Sequence, residues 1–310
     1  MTIPPEETGF DRTLIFTLPA QDARGRVVRL GPVLNTILAA HDYPPVAQRV
    51  LAEALVLTAL LGSTLKDNSS QLTLQAQTQN GPISLLVCDY IAGQVRGYLS
   101  FDAEALAEAG AEPTLFGLFG KGFLALTFDQ GASDERYQGI VPLEGANLGE
   151  AVENYFRQSE QVPTVARIAV RQDPVAGCIA AGVLIQQLPL GEVDAERLDV
   201  RAEGVDADAA WAHVATIAET LTRDEMTDAA LSMEALVWRL YHDEEQVLVT
   251  KGDRLARGCR CDPAYLASVL ARFPEADRAD MVDESGEIII DCAFCSKKFA
   301  IDPELKPVSH

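Results

Sequence analysis

Two tight cysteine pairs near the C-terminus, Cys259-Arg260-Cys261 and Cys292-Ala293-Phe294-Cys295, stand thirty residues apart and hold four of the six cysteines. Each pair can present two sulfurs to one point, and thirty residues suffice for the chain to fold back and join the pairs. Four thiolates around one Zn²⁺ form the closed tetrahedron of a structural zinc site. The first pair has a single intervening residue, so the spacing departs from a double C-x₂-C ribbon. Such pairs in a reducing compartment bind metal or act catalytically rather than form structural disulfides. The expected site is therefore Cys259, Cys261, Cys292 and Cys295 around one Zn²⁺ per chain in the reduced state.

A zinc tetrathiolate carries a formal charge of −2. Arg254, Arg257 and Arg260 crowd the first pair, and Lys297 and Lys298 follow the second. Positive neighbours and a metal both favour thiolate, the form that oxidants attack. Oxidation removes ligands, and any fold that depends on the metal is lost with it. Two readings stay open on these residues: a redox switch, or an inert structural site whose arginines neutralise charge. Between the pairs, Tyr265, Leu266, Val269, Leu270 and Phe273 predict a short helix, Ser285-Gly286 a turn, and Glu287 to Ile290 a strand. So small an apolar content over about sixty residues implies a fold that needs its metal.

The rest of the chain sets the context. Its 310 residues allow more than one domain, and 48% hydrophobic content supports a substantial core. A net charge of −21 excludes the basic surface that phosphate backbones require, so no nucleic-acid partner is expected. The N-terminal residues, with Pro4, Pro5, Glu6 and Glu7, lack a basic and an apolar region of a signal peptide. The most apolar run, Val50 to Leu61, is short for a bilayer span and contains Glu53, so no membrane role is expected. A cytoplasmic location follows as the expectation. No glycine-rich phosphate loop is seen, and no nucleotide is expected. Histidines 41, 213, 242 and 310 form no cluster in sequence, and His242 reads as a packed or solvated helix residue.

Read in order, residues 1–12 suggest a frayed tail, and Asp22 to Gly25 a turn between two short strands. Val33, Leu34, Ile37 and Leu38 recur at helical spacing. Pro44 and Pro45 break that helix and open another, running to about Leu65, that is apolar on most of its surface and so belongs in a core. The period then changes to two. Leu72, Leu74 and Ala76 alternate with glutamine and threonine in a strand with one wet face. Asn80-Gly81 signals a hairpin. Further strands are predicted at Ile83–Cys88, Val95–Leu99, Gly122–Phe128, Tyr137–Leu143, Thr164–Val170 and Cys178–Leu188, with a helix capped by Asn147 before the last two. The class is α+β: a mostly antiparallel sheet domain with packed helices. Cys88 and Cys178 lie in apolar strand runs and read as small core residues.

Composition shifts near Pro189. Glu192 to Glu245 holds fifteen acidic residues against four arginines, a net of −11 in 54 residues. Trp211, Val214, Ala218 and Leu221 still keep helical spacing, as do Leu236, Val237, Leu240 and Tyr241. These are amphipathic helices whose charged faces repel themselves and whose apolar faces need a partner. They read either as an ordinary helical linker or as a metastable element docked on the sheet domain. The expected division is 1–191, an α+β domain; 192–245, an acidic helical linker; and 246–310, the Cys₄ domain.

The chain resembles the heat shock protein 33 family, the redox-regulated 33 kDa chaperonins. The resemblance rests on the stretch Gly62 to Gln77, Asn80-Gly81-Pro82, Val95-Arg96-Gly97-Tyr98 and Tyr137 to Leu143. It continues through Tyr155-Phe156 with Gln158 to Thr164, Trp238 to His242, and the CxC…CxxC pairing, so it spans about Asp11 to Ile301. The linker is unusually acidic, and Ala181-Gly182 stands where a glycine pair is expected. What the resemblance implies is an ATP-independent holdase for unfolded or oxidatively damaged clients. The four cysteines would hold zinc with the chaperone off. Oxidation would pair Cys259 with Cys261 and Cys292 with Cys295, release zinc, undock the linker and uncover apolar surface, with a homodimer as the active form. No catalytic residue is expected. Rival readings are a structural zinc protein and a thiol-disulfide oxidoreductase, the latter wanting a C-x-x-C at a helix N-terminus in a βαβ unit.

Overall fold

The computed structural model describes residues 9–304, apart from 66, 79, 132–134, 174, 176 and 189–205. Residues 1–8 of the expected tail and 192–205 of the expected linker lie outside the described residues. Asp11 and Arg12, at the end of the expected tail, belong to the fold. Strand β1 (Arg12–Leu18) begins at once, and Asp11 accepts the backbone N–H groups of Gly31 and Val33 at 3.0 and 3.1 Å. Hairpin partner β2 (Ala23–Leu30) leads into α1 (Pro32–Leu38) and α2 (Pro45–Gly62), each opened by proline at its first position, where the missing N–H has no partner to lose.

A meander follows: β3 (Gln71–Thr78), β4 (Ile83–Ile91) and β5 (Gln94–Phe101). Two short helices that the hydrophobic periodicity does not announce, α3 (Ala103–Glu108) and α4 (Leu115–Phe119), are capped by Asp102 and Thr114. Then come β6 (Gly122–Gln130), β7 (Glu135–Pro142), α5 (Leu148–Tyr155) with its Asn147 cap, β8 (Thr164–Asp173) and β9 (Gly177–Gln187). The acidic segment supplies α6 (Ala207–Glu219), α7 (Arg223–Thr227) and α8 (Met233–Tyr241). The chain ends through β10 (Leu248–Arg254), β11 (Ala256–Arg257), α9 (Pro263–Leu270), α10 (Glu275–Asp280), β12 (Ile288–Asp291) and β13 (Lys298–Ile301).

The strands make two main sheets, β10-β1-β2-β9-β8 and β11-β5-β4-β3-β6-β7, and a small β12-β13 hairpin. All neighbours are antiparallel except β11 and β5. Helix α2 lies between the two main sheets. Leu51, Leu55, Val56, Leu57 and Leu60 are all fully buried, which is why its sequence is apolar around most of its circumference. Each such leucine contributes about 2 kcal/mol by leaving water. By length and composition α2 could cross a membrane, but 72% of it is buried inside this fold. Two glycines let it sit so close. A Cβ at Gly182 would fall 2.4 Å from Val56, and one at Gly97 would fall 2.6 Å from Cys88 Sγ and 3.1 Å from Leu51. Ala181, the residue in place of the first glycine of the expected pair, faces the opposite side of β9 and joins another cluster. Cys88 and Cys178 are buried in the core around α2.

The far face of the first sheet is covered by α6, α7 and α8. Leu14, Phe16, Val27 and Val183 pack against Val214, Met233, Val237 and Tyr241, and the Phe16 and Tyr241 rings lie 5.7 Å apart. Arg29, 1% exposed, crosses this layer. Its Nε donates to the Met226 carbonyl at 3.0 Å and its Nη1 to the Leu231 carbonyl at 2.7 Å. The sequence pattern predicts no strand between the linker and the cysteines. Yet β10 pairs with β1 on the first sheet, Leu255 enters the core around α2, and β11 pairs with β5 on the second. This stretch therefore stitches both sheets together immediately before the first cysteine.

Candidate metal centre

Each cysteine pair is presented by a turn that strand or helix geometry fixes. The first follows β11, which is clipped to β5 when the Gly258 N–H donates to the Val95 carbonyl at 3.0 Å. Asp262 then caps α9 by accepting the Ala264 N–H at 3.0 Å, so the chain turns sharply after Cys261. The second pair occupies the loop of the β12-β13 hairpin, whose last rung is Asp291 with Lys298. Cys292 N–H donates to the Lys297 carbonyl at 3.0 Å, and Ser296, at φ 55°, donates its N–H to the Cys292 carbonyl at 2.8 Å. Around these turns only Leu270, Ile288, Phe299 and Ile301 form a buried cluster, with Cys261 and Cys292 packed against it. So small a core needs a cross-link or a metal.

The four thiols converge. All four Sγ atoms lie within 4.8 Å of one another. Cys259 and Cys261 are 3.3 Å apart, while Cys259–Cys292 and Cys261–Cys295 are both 3.6 Å. A tetrahedron with Zn–S bonds of about 2.3 Å has edges of roughly 3.8 Å. The spacing thus fits a small thiophilic cation, and zinc suits a set of four thiolates. All four cysteines are free thiols and half-buried, so small oxidants can reach them. Burial opposes ionisation of Cys259, but the Cys261 backbone N–H and the neighbouring sulfurs outweigh it and bring its thiol down to about 7. Cys261 is pushed up to about 12 by burial and then by Cys259 and Cys295, and burial also raises Cys295. A cation gathered by the four sulfurs would favour their thiolate forms and release their protons.

The residues between the cysteines have their own work. Arg260 does not turn onto the sulfurs to neutralise them. Its Nη1 donates to Gln71 at 2.7 Å and its Nη2 to Asp89 at 3.1 Å, both on the second sheet. Asp89, 5% exposed, also accepts from Thr73 at 2.7 Å and from Arg96 Nε at 2.8 Å. Phe294 meets Tyr98 edge-on at 4.9 Å, and the Arg96 guanidinium lies 3.9 Å over its ring. Ser296 Oγ sits 3.0 Å from His41 Nδ1. These moorings of the knuckle thus come from residues inside or beside a cysteine pair. Sequence spacing does not reveal Asp89 or His41 as its partners. Arg96 and Tyr98 lie in the Val95-Arg96-Gly97-Tyr98 motif, and the signal for their role is their common side of β5.

Two sheets clasping one apolar helix, with a four-thiol knuckle moored to the second sheet, define an α+β protein that carries a thiol-rich metal module on its flank. The fold is that of the 33 kDa chaperonin (heat shock protein 33 homolog) of Thermotoga maritima, whose crystal structure matches with a TM-score of 0.77 at 21% identity over 95% of this chain and 96% of that one. The chain belongs to the Hsp33 protein family, whose model matches residues 11–302. Among curated relatives, the 33 kDa chaperonin of Caulobacter vibrioides is 38% identical over 295 residues, 93% of each chain. That of Yersinia pestis is 34% identical over 280 residues, 90% of this chain and 88% of its own. These relatives bear the name of a chaperonin and not of an enzyme.

Proposed function

We propose that the chain is a redox-regulated, ATP-independent holdase for unfolding or oxidatively damaged proteins in the cytoplasm. One observation carries this reading: the residues that moor the knuckle to the second sheet are spaced between the very thiols that a metal would gather. In the reduced state Cys259, Cys261, Cys292 and Cys295 hold Zn²⁺, and the knuckle keeps Arg260 and Phe294 in place. With hydrogen peroxide as oxidant, each zinc-bound thiolate pair gives two electrons as its S–S bond forms, two protons come from solvent, the peroxide leaves as two waters and Zn²⁺ is released. The pairing Cys259–Cys261 and Cys292–Cys295 follows the family resemblance. Loss of the ligand set ends the fold of a module with four buried core residues.

The tether from Leu248 to Arg257 links that event to the rest of the molecule. It joins β11 on the second sheet to β10 on the first, and β10 directly follows the helices that cover the first sheet. In this reading residues 1–191 bind clients, 192–245 are the linker that undocks, and 246–310 are the switch. Apolar surface uncovered in this way is a site for unfolded chains, and homodimerisation accompanies it. An oxidoreductase finds less support. Cys292 and Cys295 sit in a turn between antiparallel strands, not at a helix N-terminus.

The test titrates the reduced, zinc-loaded protein with hypochlorous acid or peroxide at elevated temperature. Zinc is followed with a colorimetric chelator and client aggregation by light scattering. The expected result is zinc release and suppression of aggregation together, reversed by thiol reductant plus zinc. Zinc retention, or release without holding activity, overturns the proposal.

A further inference from the structure

The solvent face of the second sheet is ordered into cross-strand rows by its register. One row is Arg96, Asp89, Thr73, Thr127 and Gln138. It is polar and internally satisfied, with Gln138 Nε2 donating to Thr127 at 2.8 Å. The next row is Tyr98, Val87, Gln75, Ala125 and Ile140, uncharged from end to end. It starts beneath Phe294, which stacks on Tyr98. It ends in an open groove of about 380 Å³ that Phe123, Ala125, Ile140 and the amides of Gln75, Gln77 and Gln138 line, with Thr78 and Lys121 completing its wall. There Phe123 and Ile140 are each 57% exposed, although both are large apolar side chains. One apolar track thus runs from a covered end to an uncovered end.

We propose that this track is an interaction surface for an extended apolar segment of an unfolding protein, and that the knuckle covers its β5 end as a competitor. The proposal rests on the holdase reading and names the surface that serves it. Phe294 shows the chemistry accepted there: an aromatic ring presented on an exposed turn, held by edge contact with Tyr98. A client aromatic can take the same place once the knuckle leaves. Adjacent strands are about 4.8 Å apart, so the row from Tyr98 to Ile140 spans about 19 Å, the length of roughly six residues of an extended chain. The glutamine amides donate and accept, so they can meet peptide groups of any sequence. The row from Tyr98 to Ile140 carries no charge, and Lys121 lines the open groove beside it, so partner choice along the row rests on apolar contact more than on charge pairing.

The test uses the full-length oxidised chain and a fluorescent carboxymethylated α-lactalbumin, a permanently unfolded probe, with binding read by anisotropy. The Phe123→Ser, Ile140→Ser double variant is compared with Phe123→Leu, Ile140→Val. Zinc content of the reduced proteins, zinc release on oxidation and thermal unfolding show that each variant folds and switches. The expected result is affinity about tenfold weaker for the serine pair and within about twofold for the conservative pair. Unchanged affinity in the serine pair overturns this surface while the holdase reading stands. Loss of self-association in sedimentation, with probe affinity kept, overturns it in favour of a second copy as occupant. Failure of the unsubstituted oxidised chain to bind the probe removes the holdase reading and this inference with it.

Discussion

The two main sheets are each covered on one side, and the two covers are built on opposite principles. On the first sheet, α6, α7 and α8 bury a continuous apolar layer, reinforced by Arg29 donating to two carbonyls inside it. Ion pairs close its margin, with Arg12 Nη2 donating to both carboxylate oxygens of Glu234 at 2.7 and 2.9 Å. On the second sheet, the knuckle brings a four-residue core and touches down through a few side chains, chiefly Arg260 and Phe294, while Ser296 reaches His41 between α1 and α2. Packing holds the first cover, and thiol geometry holds the second. Only the second can be addressed directly by an oxidant or a chelator. The lesson is that a net charge of −11 over residues 192–245 does not prevent α6, α7 and α8 from burying a continuous apolar layer, because Val214, Met233, Leu236, Val237 and Tyr241 keep buried faces.

The largest test of this contrast removes a metal ligand. In Cys292→Ser the module around the thiols is expected to unfold, since structural zinc supplies about 10–16 kcal/mol of apparent binding free energy at neutral pH. Hydrogen exchange is expected to lose protection across α9, β12 and β13 before it does in α6 and α8. Simultaneous loss in both regions breaks the contrast and makes the two covers one cooperative unit. The converse test strikes the packed cover. Arg29→Met removes both donors and leaves the Met226 and Leu231 carbonyls buried without partners, an expected loss of about 2–4 kcal/mol. The α6–α8 amides are expected to exchange faster while the zinc content of the reduced protein stays the same.

These contrasts bear on how legible the molecule is in its sequence. The cysteine set, the apolar helix α2, the alternating strand β3 and the Asn147 cap follow from local rules of spacing, and the structure contains each of them. The helices of the acidic segment are legible too, because Val214, Ala218, Val237 and Tyr241 keep their period despite the surrounding charge. The division of strands into two sheets is not legible, since alternation tells which residues face inward but not which strands become neighbours. β10 is missed because Leu248 to Arg254 is half charged and mostly exposed at a sheet edge. The knuckle's partners are missed for a different reason. Asp89 carries no signal in sequence and Tyr98 is marked only by its motif, so the register of β4 and β5 is what brings them to Arg260 and Phe294.

A third prediction concerns the core that both covers share. Burial raises the Glu53 carboxyl to about 7, with Arg49 opposing the shift and Glu112 adding to it. An unfolded glutamate ionises near 4.5. Between these values the native state keeps a proton that the unfolded state has lost, so stability falls as pH rises from about 4.5 to 7 and levels off above. The loss is at most about 3 kcal/mol. Glu53→Gln is therefore expected to be close to neutral at pH 5 and stabilising by about 1–3 kcal/mol at pH 8, measured by denaturant unfolding. Because α2 contacts both sheets, this variant is expected to shift both covers together. A shift confined to one cover shows that the sheets unfold separately.

The smallest expected effect sharpens the picture of the second cover. Phe294→Ala removes the edge contact with Tyr98 and the cation–π contact with Arg96, about 1–2 kcal/mol together. Arg260→Ala removes less, about 0.5–1 kcal/mol, because the pair is partly exposed and Asp89 keeps Thr73 and Arg96. Both variants keep all four thiols, so the reduced protein is expected to bind zinc at full stoichiometry. Zinc transfer to a competing chelator is expected to be faster, more so for Phe294→Ala. Arg96 bonds to Asp89 and lies over Phe294, so the two moorings share a partner. The double variant is expected to depart from additivity by at least about 0.5 kcal/mol in the transfer rate. Strict additivity would mean that the knuckle rests on independent contacts. Coupling would mean that Asp89, Arg96, Arg260 and Phe294 form one cluster that comes apart together when the thiols lose their common centre.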